Sequence, residues 1–251
     1  MATRVWVLPW RRNINHQHPA PRCQGREDSP EEVISVKVDF LLLHIQFLIP
    51  NMAPQTQKAL VVAEIGKPLT LVTDRPVPQP EPDQVQVRVT IAGPNPHDQK
   101  ARDRGLFIAN LLPAVLTNDV VGRVTALGSN VTRFSIGDRV VGQPTIGPGT
   151  PQTGLQEYVV LDTDFINKIP DGFTDDDAAT LPTNTLAPLV ALFDASGFGI
   201  PAPWTSAAST FDYKGTTVLV VGGGSNCGRY GVQFAALAGI GRIVVVGGDE
   251  A

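Results

Sequence analysis

A glycine-rich stretch near the end of the chain has the residue types and spacing of a phosphate-binding loop. In VVGGGSNCGRYG, residues 220–231, an apolar segment runs into three glycines. A dinucleotide-binding turn requires a tight bend, a close approach of the backbone to a pyrophosphate and close packing of a helix on a strand. Gly223, Ser225 and Gly228 occupy the three positions of this G-x-G-x-x-G pattern, with serine at the middle position. We therefore predict that amides of this loop, and of a helix that begins near Cys227, bind a pyrophosphate. The predicted coenzyme-binding residues of the loop are Gly222, Gly223, Gly224, Ser225, Asn226, Cys227 and Gly228.

The segments that flank the loop predict a β-α-β unit. GTTVLVV (215–221) and RIVVVGG (242–248) are continuous apolar runs, typical of strands that are covered on both faces. Small residues in CGRYGVQFAALAG (227–239) favour a helix packed closely on a sheet. Residues 216–246 therefore read as one β-α-β unit of about 30 residues. The alternative is a glycine-rich turn of some other α/β protein.

Two side chains of the loop have roles of their own. The hydroxyl of Ser225 is predicted to bond a phosphate oxygen. Cys227 is interpreted as a small loop residue whose N–H faces the phosphate. Its alternative role is that of a reactive thiol at a helix N-terminus, where the thiolate is favoured.

The end of the second apolar strand bears on the choice of coenzyme. A site that prefers NAD places an acidic residue there to hold both ribose hydroxyls. Here Val246 is followed by Gly247 and Gly248, with Asp249 only third. Small residues leave room for a 2′-phosphate, so we predict NADPH, with Gly248 and Asp249 as further coenzyme-binding residues.

The middle of the chain predicts a small antiparallel barrel or sandwich, followed by helices. Short segments of alternating apolar and polar residues are separated by turn residues, as in an all-β domain. After them, Thr174 and Asp177 predict a capped helix start, and LAPLVALFDASG (186–197) predicts a buried helix with Pro188 in its first turn and Gly197 as its C-cap. The predicted strand segments are KALVV (58–62), LTLV (69–72), VQVRVTIAG (85–93), VVGRVTALG (120–128), VTRFSIGDRVVG (131–142) and EYVVLD (157–162), with turns at Gly128-Ser129 and at Ile136-Gly137-Asp138.

The composition and the first 51 residues limit which cellular locations and which classes of partner are expected. A net charge of −4 argues against a nucleic-acid partner, and two cysteines fit a reducing, cytoplasmic compartment. Residues 1–26 contain five arginines and no acid, which leaves a mitochondrial targeting segment as an alternative to a disordered or artefactual extension over residues 1–51. The apolar run at 40–50 has eleven residues where a membrane span needs about 20, so no membrane partner is expected.

Together these features resemble the medium-chain dehydrogenase/reductase superfamily. The resemblance covers about residues 58–251. It implies an α/β fold with a β-barrel: a GroES-like catalytic domain at 52–180, followed by a partial Rossmann-type nucleotide-binding β-α-β unit at 181–251. Its most specific segments are ALGSNVTRFSIGDRVVG (126–142), LQEYVV (155–160), KIPDGFTDDDAATLP (168–182) and VLVVGGGSNCG (218–228).

The zinc-binding positions of this superfamily carry other residues here. Zinc alcohol dehydrogenases have a cysteine where this chain has Pro94, and a His-Glu pair where it has Asn118 and Asp119. The resemblance therefore implies a protein without zinc, in which no Lewis acid polarises the substrate. His97 lies nearby, and as a single histidine without partners it is interpreted as a surface or loop residue.

The N-P-x-D motif that begins at Asn95 resembles the zinc-independent enoyl reductases and quinone oxidoreductases, most of all the fungal enoyl-reductase-like members. This implies hydride transfer from NADPH to an activated C=C of a small-molecule substrate, with quinone reduction as the alternative. Asn95 is the predicted catalytic residue, as an amide donor to a developing enolate. Alternatively, it only shapes the turn. Many relatives have a threonine where this chain has Ala187, and Thr183 or Thr185 is a candidate substitute.

The length of the coenzyme-binding part differs from the family pattern. A complete coenzyme sheet has about six strands, and this chain supplies two of them. We therefore expect a C-terminally incomplete chain of impaired activity that lacks the family's dimerisation edge. A hypothesis of another class is a non-catalytic remnant that binds a nucleotide or a partner.

Overall fold

The computed structural model describes residues 54–145 and 150–247. The predicted extension at 1–51 and the predicted coenzyme-binding residues Gly248 and Asp249 lie outside these ranges. No helix within the described ranges has the length and apolar character needed to cross a membrane. The strands there are β1 (Thr56–Val62), β2 (Thr70–Pro76), β3 (Gln84–Gly93), β4 (Ala114–Val115), β5 (Asp119–Leu127), β6 (Arg139–Gly142), β7 (Tyr158–Asp162), β8 (Ile166–Lys168), β9 (Thr217–Val221) and β10 (Arg242–Val246). The α-helices are α1 (Pro96–Arg104), α2 (Asp175–Ala179), α3 (Pro182–Phe193) and α4 (Asn226–Leu237), with 3-10 turns at Thr163–Phe165 and Ser206–Thr210.

Two antiparallel sheets form the first part of the described chain. One has five strands in the order β7-β3-β5-β6-β8, and the other has three in the order β2-β1-β4. A bridge between Ala59 and Gln156 joins β1 to the segment that precedes β7. Alternation in the strands buries one set of aliphatic side chains in a common core. That core contains Val85, Val87, Val120, Val124, Phe134, Val140, Val159, Leu161 and Ile166.

The predicted turn at 136–138 is present, and only the part of the segment 131–142 that follows it is a strand. Pairing begins at Arg139, because a turn at Ser135–Asp138 interrupts the extended chain. The carboxylate of Asp138 accepts a hydrogen bond from the Ser135 amide at 2.7 Å, and Gly137 has a φ of 91°. Phe134 contributes to the core from the loop before this turn.

Helix α3 starts earlier than predicted, although the capped start of α2 is confirmed. Thr174 and Asp177 form the predicted capping box, whereas α3 begins at Pro182 rather than near 186. Pro188 therefore lies inside the helix, where it lacks the N–H that would bond the carbonyl of Asn184. The C-cap is Asp194 and not Gly197.

The predicted β-α-β unit is present. Strands β9 and β10 pair in parallel, with Val218 opposite Ile243, and α4 connects them. One face of this pair packs on α4 through Val218, which is 6% exposed. Burial on both faces was predicted, but in the described ranges Leu219 and Val221 on the other face are 58% and 73% exposed.

Candidate active site

The glycine loop between β9 and α4 has the shape that a pyrophosphate cradle requires. Gly222 has a φ of 82°, a left-handed conformation in which glycine carries no Cβ penalty. A Cβ on Gly228 would lie 2.2 Å from the carbonyl oxygen of Gly222, and one on Gly223 would lie 2.1 Å from Cγ1 of Val245. The loop therefore closes only because these positions are glycine.

Several amides of this loop are open to an anion. The N–H groups of Gly222 and Gly223 bond the carbonyl of Val246, and that of Ser225 bonds the carbonyl of Gly222. Within the described chain, the N–H groups of Gly224, Asn226 and Cys227 have no such acceptor. These free donors lie at the positive end of the α4 dipole, so the residues present fit a pyrophosphate.

Ser225 is the N-cap of α4. Its hydroxyl accepts a hydrogen bond from the Gly228 amide at 3.1 Å and donates one to the carbonyl of Gly222 at 2.8 Å. A serine at the middle fingerprint position thus braces the loop and starts the helix. The predicted phosphate contact of this hydroxyl stays a prediction, because its hydrogen is directed to Gly222 here.

The second cluster of polar residues surrounds Asp119 at the start of β5. Its carboxylate is buried, with the residue 1% exposed. Oδ1 accepts hydrogen bonds from the Thr183 amide at 3.0 Å, the Thr183 hydroxyl at 2.6 Å and Nε2 of Gln143 at 3.1 Å. Oδ2 accepts from Nδ2 of Asn95 at 2.9 Å. Neutral donors from three other chain segments therefore satisfy this buried charge.

The side-chain N–H donors of Asn95 are already used by acceptors within the protein. It lies between β3 and α1, as the N-cap residue of α1. Its Nδ2 donates to the carboxylate of Asp119 and to the carbonyl of Gly93, at 2.9 and 3.2 Å. A side-chain amide has two hydrogens, so both are taken by protein acceptors. An enolate oxygen would have to displace one of them, and the catalytic role of Asn95 stays a prediction.

The first turn of α3 connects this cluster to the glycine loop. Thr183 bonds Asp119, and the next residue, Asn184, lies with its Oδ1 3.9 Å from Sγ of Cys227. Of the two threonines suggested from the sequence, Thr183 therefore reaches the cluster, while the hydroxyl of Thr185 bonds the carbonyl of Pro182 within the helix.

A third group of polar residues lies beside Asn95 and Asp119. Nε2 of His97 is 3.4 Å from Nδ2 of Asn118 and 3.7 Å from Oδ1 of Asp98. His97 therefore lies in the first turn of α1, half-exposed, with its ring beside Asn118. Asp98 also accepts hydrogen bonds from the amides of Asn95 and Thr117, at 2.7 and 2.9 Å.

Thr117 is the strained residue of the site. Its φ is 81°, which is unusual for a β-branched side chain. It is fully buried, and its hydroxyl has no hydrogen-bond partner in the described chain. Nothing in the local sequence predicts this conformation, because it results from the Asp98 carboxylate and the Gly154 amide, which hold Thr117 from distant segments.

The positions that hold zinc in the zinc alcohol dehydrogenases do not present a zinc ligand set here. Pro94 has no side-chain donor atom, Asn118 offers an amide, and the oxygens of Asp119 are taken by protein hydrogen bonds. Across the described ranges there is no group of three His, Cys, Asp or Glu side chains that could hold a metal ion.

Known proteins share both parts of this architecture. A family model for the alcohol dehydrogenase GroES-like domain matches residues 81–171. The dehydrogenase pigH of Monascus ruber is 33% identical over 181 residues, which are 68% of this chain and 47% of pigH. The enoyl reductase component lovC of the lovastatin nonaketide synthase of Aspergillus terreus is 34% identical over 192 residues, 76% of this chain and 51% of lovC. The quinone oxidoreductase of Coxiella burnetii superposes with a TM-score of 0.62 at 28% identity, covering 78% of this chain and 57% of that structure.

The chain spans about half the length of the curated relatives it matches. The family match contains all five strands of the β7-β3-β5-β6-β8 sheet, the structural matches cover 78% of the chain, and together they confirm the predicted fold class. Dehydrogenases and enoyl reductases recur among the relatives. The chain therefore belongs to the medium-chain dehydrogenase/reductase superfamily.

Proposed function

We propose that this chain forms the barrel and the pyrophosphate-binding part of an NADPH-dependent reductase that transfers hydride to an activated C=C, such as that of an enoyl thioester. One observation carries the proposal. The first turn of α3 contacts the Asp119 cluster through Thr183 and the loop helix through Asn184. A coenzyme on the loop and a substrate beside the cluster would therefore share one cleft.

The coenzyme is assigned from the loop and from the end of β10. The free amides of Gly224, Asn226 and Cys227 would hold the pyrophosphate. Small residues after Val246 leave room for a 2′-phosphate, which supports NADPH over NADH. Bound NADPH supplies the hydride, and the protein contributes orientation, exclusion of water and hydrogen-bond donors to the substrate.

We further propose that the reaction proceeds without zinc. In the zinc alcohol dehydrogenases a Lewis acid at the Pro94 and Asn118 positions polarises the alcohol or carbonyl oxygen, and the residues here do not fit one. An activated alkene instead needs donors for the charge that develops on its carbonyl oxygen. The half-exposed imidazole of His97, at this end of the barrel, is a donor of that kind.

NADPH oxidation, followed by its absorbance, tests the proposal. With the full chain, we expect turnover with an enoyl thioester that a zinc chelator leaves unchanged and that Gly228→Ala abolishes. Gly231→Ala is the matched control, because it lies on the same helix and a Cβ there would make an ordinary 3.5 Å contact with Pro188. Turnover that a chelator abolishes and zinc restores would refute the metal-free mechanism.

A second candidate function is quinone reduction, which the structural similarity to the Coxiella burnetii enzyme favours. A quinone that oxidises NADPH at least about ten times faster than any enoyl thioester would select it. Saturable NADPH binding without turnover of either substrate class would instead indicate a non-catalytic nucleotide-binding protein.

A further inference from the structure

The site needs a hydrogen-bond donor for the substrate oxygen. His97 is a side chain with a ring N–H available for this role. The developing negative charge in conjugate reduction lies on the carbonyl oxygen of the acceptor, and an active site stabilises it with a fixed N–H or O–H. Both hydrogens of the Asn95 amide are bound to protein acceptors. Nε2 of Gln143 likewise donates to Asp119 and to the hydroxyl of Thr183, at 3.1 and 2.7 Å.

His97 is placed between the same two segments that form the cluster. It lies two residues after Asn95, and its partner Asn118 directly precedes Asp119. The two contacts, Asn95 to Asp119 at 2.9 Å and His97 to Asn118 at 3.4 Å, therefore lie side by side. The His97 side chain is 31% exposed, so it is open to a ligand while one edge of the ring faces the protein.

The contact with Asn118 determines which ring nitrogen carries the hydrogen. When Nδ2 of Asn118 donates to Nε2 of His97, the neutral ring must carry its hydrogen on Nδ1. Oδ1 of Asp98 lies 3.7 Å from Nε2, beyond hydrogen-bond reach, and already accepts from the Thr117 amide. Among the described residues, Nδ1 has no hydrogen-bond partner.

The corner that holds Asn118 is fixed at an energetic cost. Asp98 binds the amides of Asn95 and Thr117, and so ties the start of α1 to the residue before Asn118. Thr117 keeps a left-handed conformation and an unpartnered hydroxyl at this corner. Strain of this kind persists where the surrounding structure imposes it, and it clusters at functional sites.

We propose that neutral His97, held by Asn118 as the Nδ1–H tautomer, is a catalytic residue that donates a hydrogen bond to the carbonyl oxygen of an α,β-unsaturated carbonyl substrate. This rests on the proposed function. NADPH, when bound, would supply the hydride to the β-carbon and become NADP+, the electron pair of the C=C would move toward the carbonyl oxygen, and Nδ1–H of His97 would donate its hydrogen bond to that oxygen. The imidazole keeps its proton, and solvent protonates the α-carbon.

The tautomer is tested without any turnover. Nitrogen-15 NMR of the full chain, with the His97 signal assigned by its loss in His97→Gln, reports which ring nitrogen bears hydrogen in the neutral form. We expect Nδ1–H in the wild type. Asn118→Asp presents only acceptors to Nε2, so it should convert the ring to Nε2–H. An Nε2–H wild type would overturn the proposal.

Catalysis is tested on the same variants, with folding checked by thermal unfolding. His97→Phe and Asn118→Asp should each lower kcat with an enoyl thioester about 100-fold, the usual effect of losing one oxyanion donor. His97→Gln, which retains an N–H donor, should recover part of that loss. Lys100→Ala, an exposed change on the same helix, should leave kcat unchanged.

The outcomes separate this inference from the proposed function. An active wild type with His97→Phe within about threefold of its kcat would overturn the role of His97 and leave the reductase proposal intact. A wild type that binds NADPH and reduces no activated alkene would overturn the reductase proposal, and the role of His97 with it.

Discussion

Thr117 shows what a single residue contributes at this site. A β-branched residue at positive φ costs about 1–3 kcal/mol, and a buried unpaired hydroxyl costs a similar amount. Glycine would relieve both effects and would lose about 0.5–1 kcal/mol to greater freedom of the unfolded chain. We therefore expect Thr117→Gly to raise the free energy of unfolding by about 1 kcal/mol or more, measured by urea denaturation.

Thr125 provides the matched control. It is also on β5, where its hydroxyl donates to Oε1 of Gln86 at 2.7 Å. Thr125→Gly loses that bond and relieves no strain, so it should lower the stability. A lower free energy of unfolding in both variants would contradict the argument that Thr117 is strained.

Asp119 supports a second prediction at the residue scale. In Asp119→Asn, the new amide group must face donors from Asn95, Gln143 or Thr183, and the charge-assisted hydrogen bonds are lost. We expect a loss of about 2–3 kcal/mol in the free energy of unfolding. The first turn of α3 should also loosen, so that maleimide labels Cys227 faster, as followed by peptide mapping. Asp171→Asn, at an exposed position, should change neither quantity.

The residues of the glycine loop could be predicted from the sequence, whereas the role of Asp119 could not. A strand, three glycines and a helix are consecutive, so a local pattern contains the whole cradle. The Asp119 cluster joins residues from four segments, and the partner farthest from Asp119 along the chain, Thr183, lies 64 positions away. Its charge is satisfied by neutral side chains, and no sequence pattern marks which asparagine, glutamine or threonine will reach it.

At the scale of elements, α4 offers a matched pair of glycines. A Cβ at Gly228 would lie 2.2 Å from the backbone carbonyl of Gly222, while one at Gly231 would make an ordinary 3.5 Å contact with Pro188. Gly228→Ala should therefore disrupt the loop, lower the thermal midpoint and remove NADPH binding. Gly231→Ala should stabilise the helix by up to about 1 kcal/mol. Equal thermal midpoints for the two variants would contradict this account of the loop.

Helix α2 is held on the barrel by an ion pair that predicts a pH dependence. The Arg139 guanidinium bonds Asp175 at 2.6 Å and, with help from the Thr90 hydroxyl, keeps the pKa of that carboxyl below its ordinary value. A lowered folded-state pKa adds stability above the unfolded pKa of about 3.9, and this stability is lost as the pH falls through the lower value.

Asp175→Asn should therefore be less stable than the wild type at neutral pH, and the difference should shrink below about pH 4. Urea unfolding of both proteins at several pH values measures the difference. Asp171→Asn again serves as the control, and a gap that is unchanged at low pH would show that the charge of Asp175 is irrelevant.

The start of helix α3 shows where the prediction of helix boundaries from the sequence was wrong. Pro188 suggested the start of a helix, since proline is best tolerated in a first turn. In the structure α3 begins at Pro182, and the tertiary contact of Pro188 with Gly231 accompanies its place inside the helix. The start of α2 was predicted correctly, because the capping box of Thr174 and Asp177 is a local signal.

At the scale of the whole molecule, the two-stranded β9–β10 sheet has one exposed apolar face in the described chain. Leu219, Val221 and Val246 are 58%, 73% and 52% exposed. Adjacent exposed apolar side chains on paired strands favour self-association, because water is released when two such faces meet.

We expect light scattering by the full chain to rise with protein concentration and with sulfate, which strengthens apolar contacts. Leu219→Glu should suppress this rise, whereas Leu71→Glu, a similarly exposed change on β2, should not. Equal light scattering by both variants would show that another surface of the molecule causes the self-association.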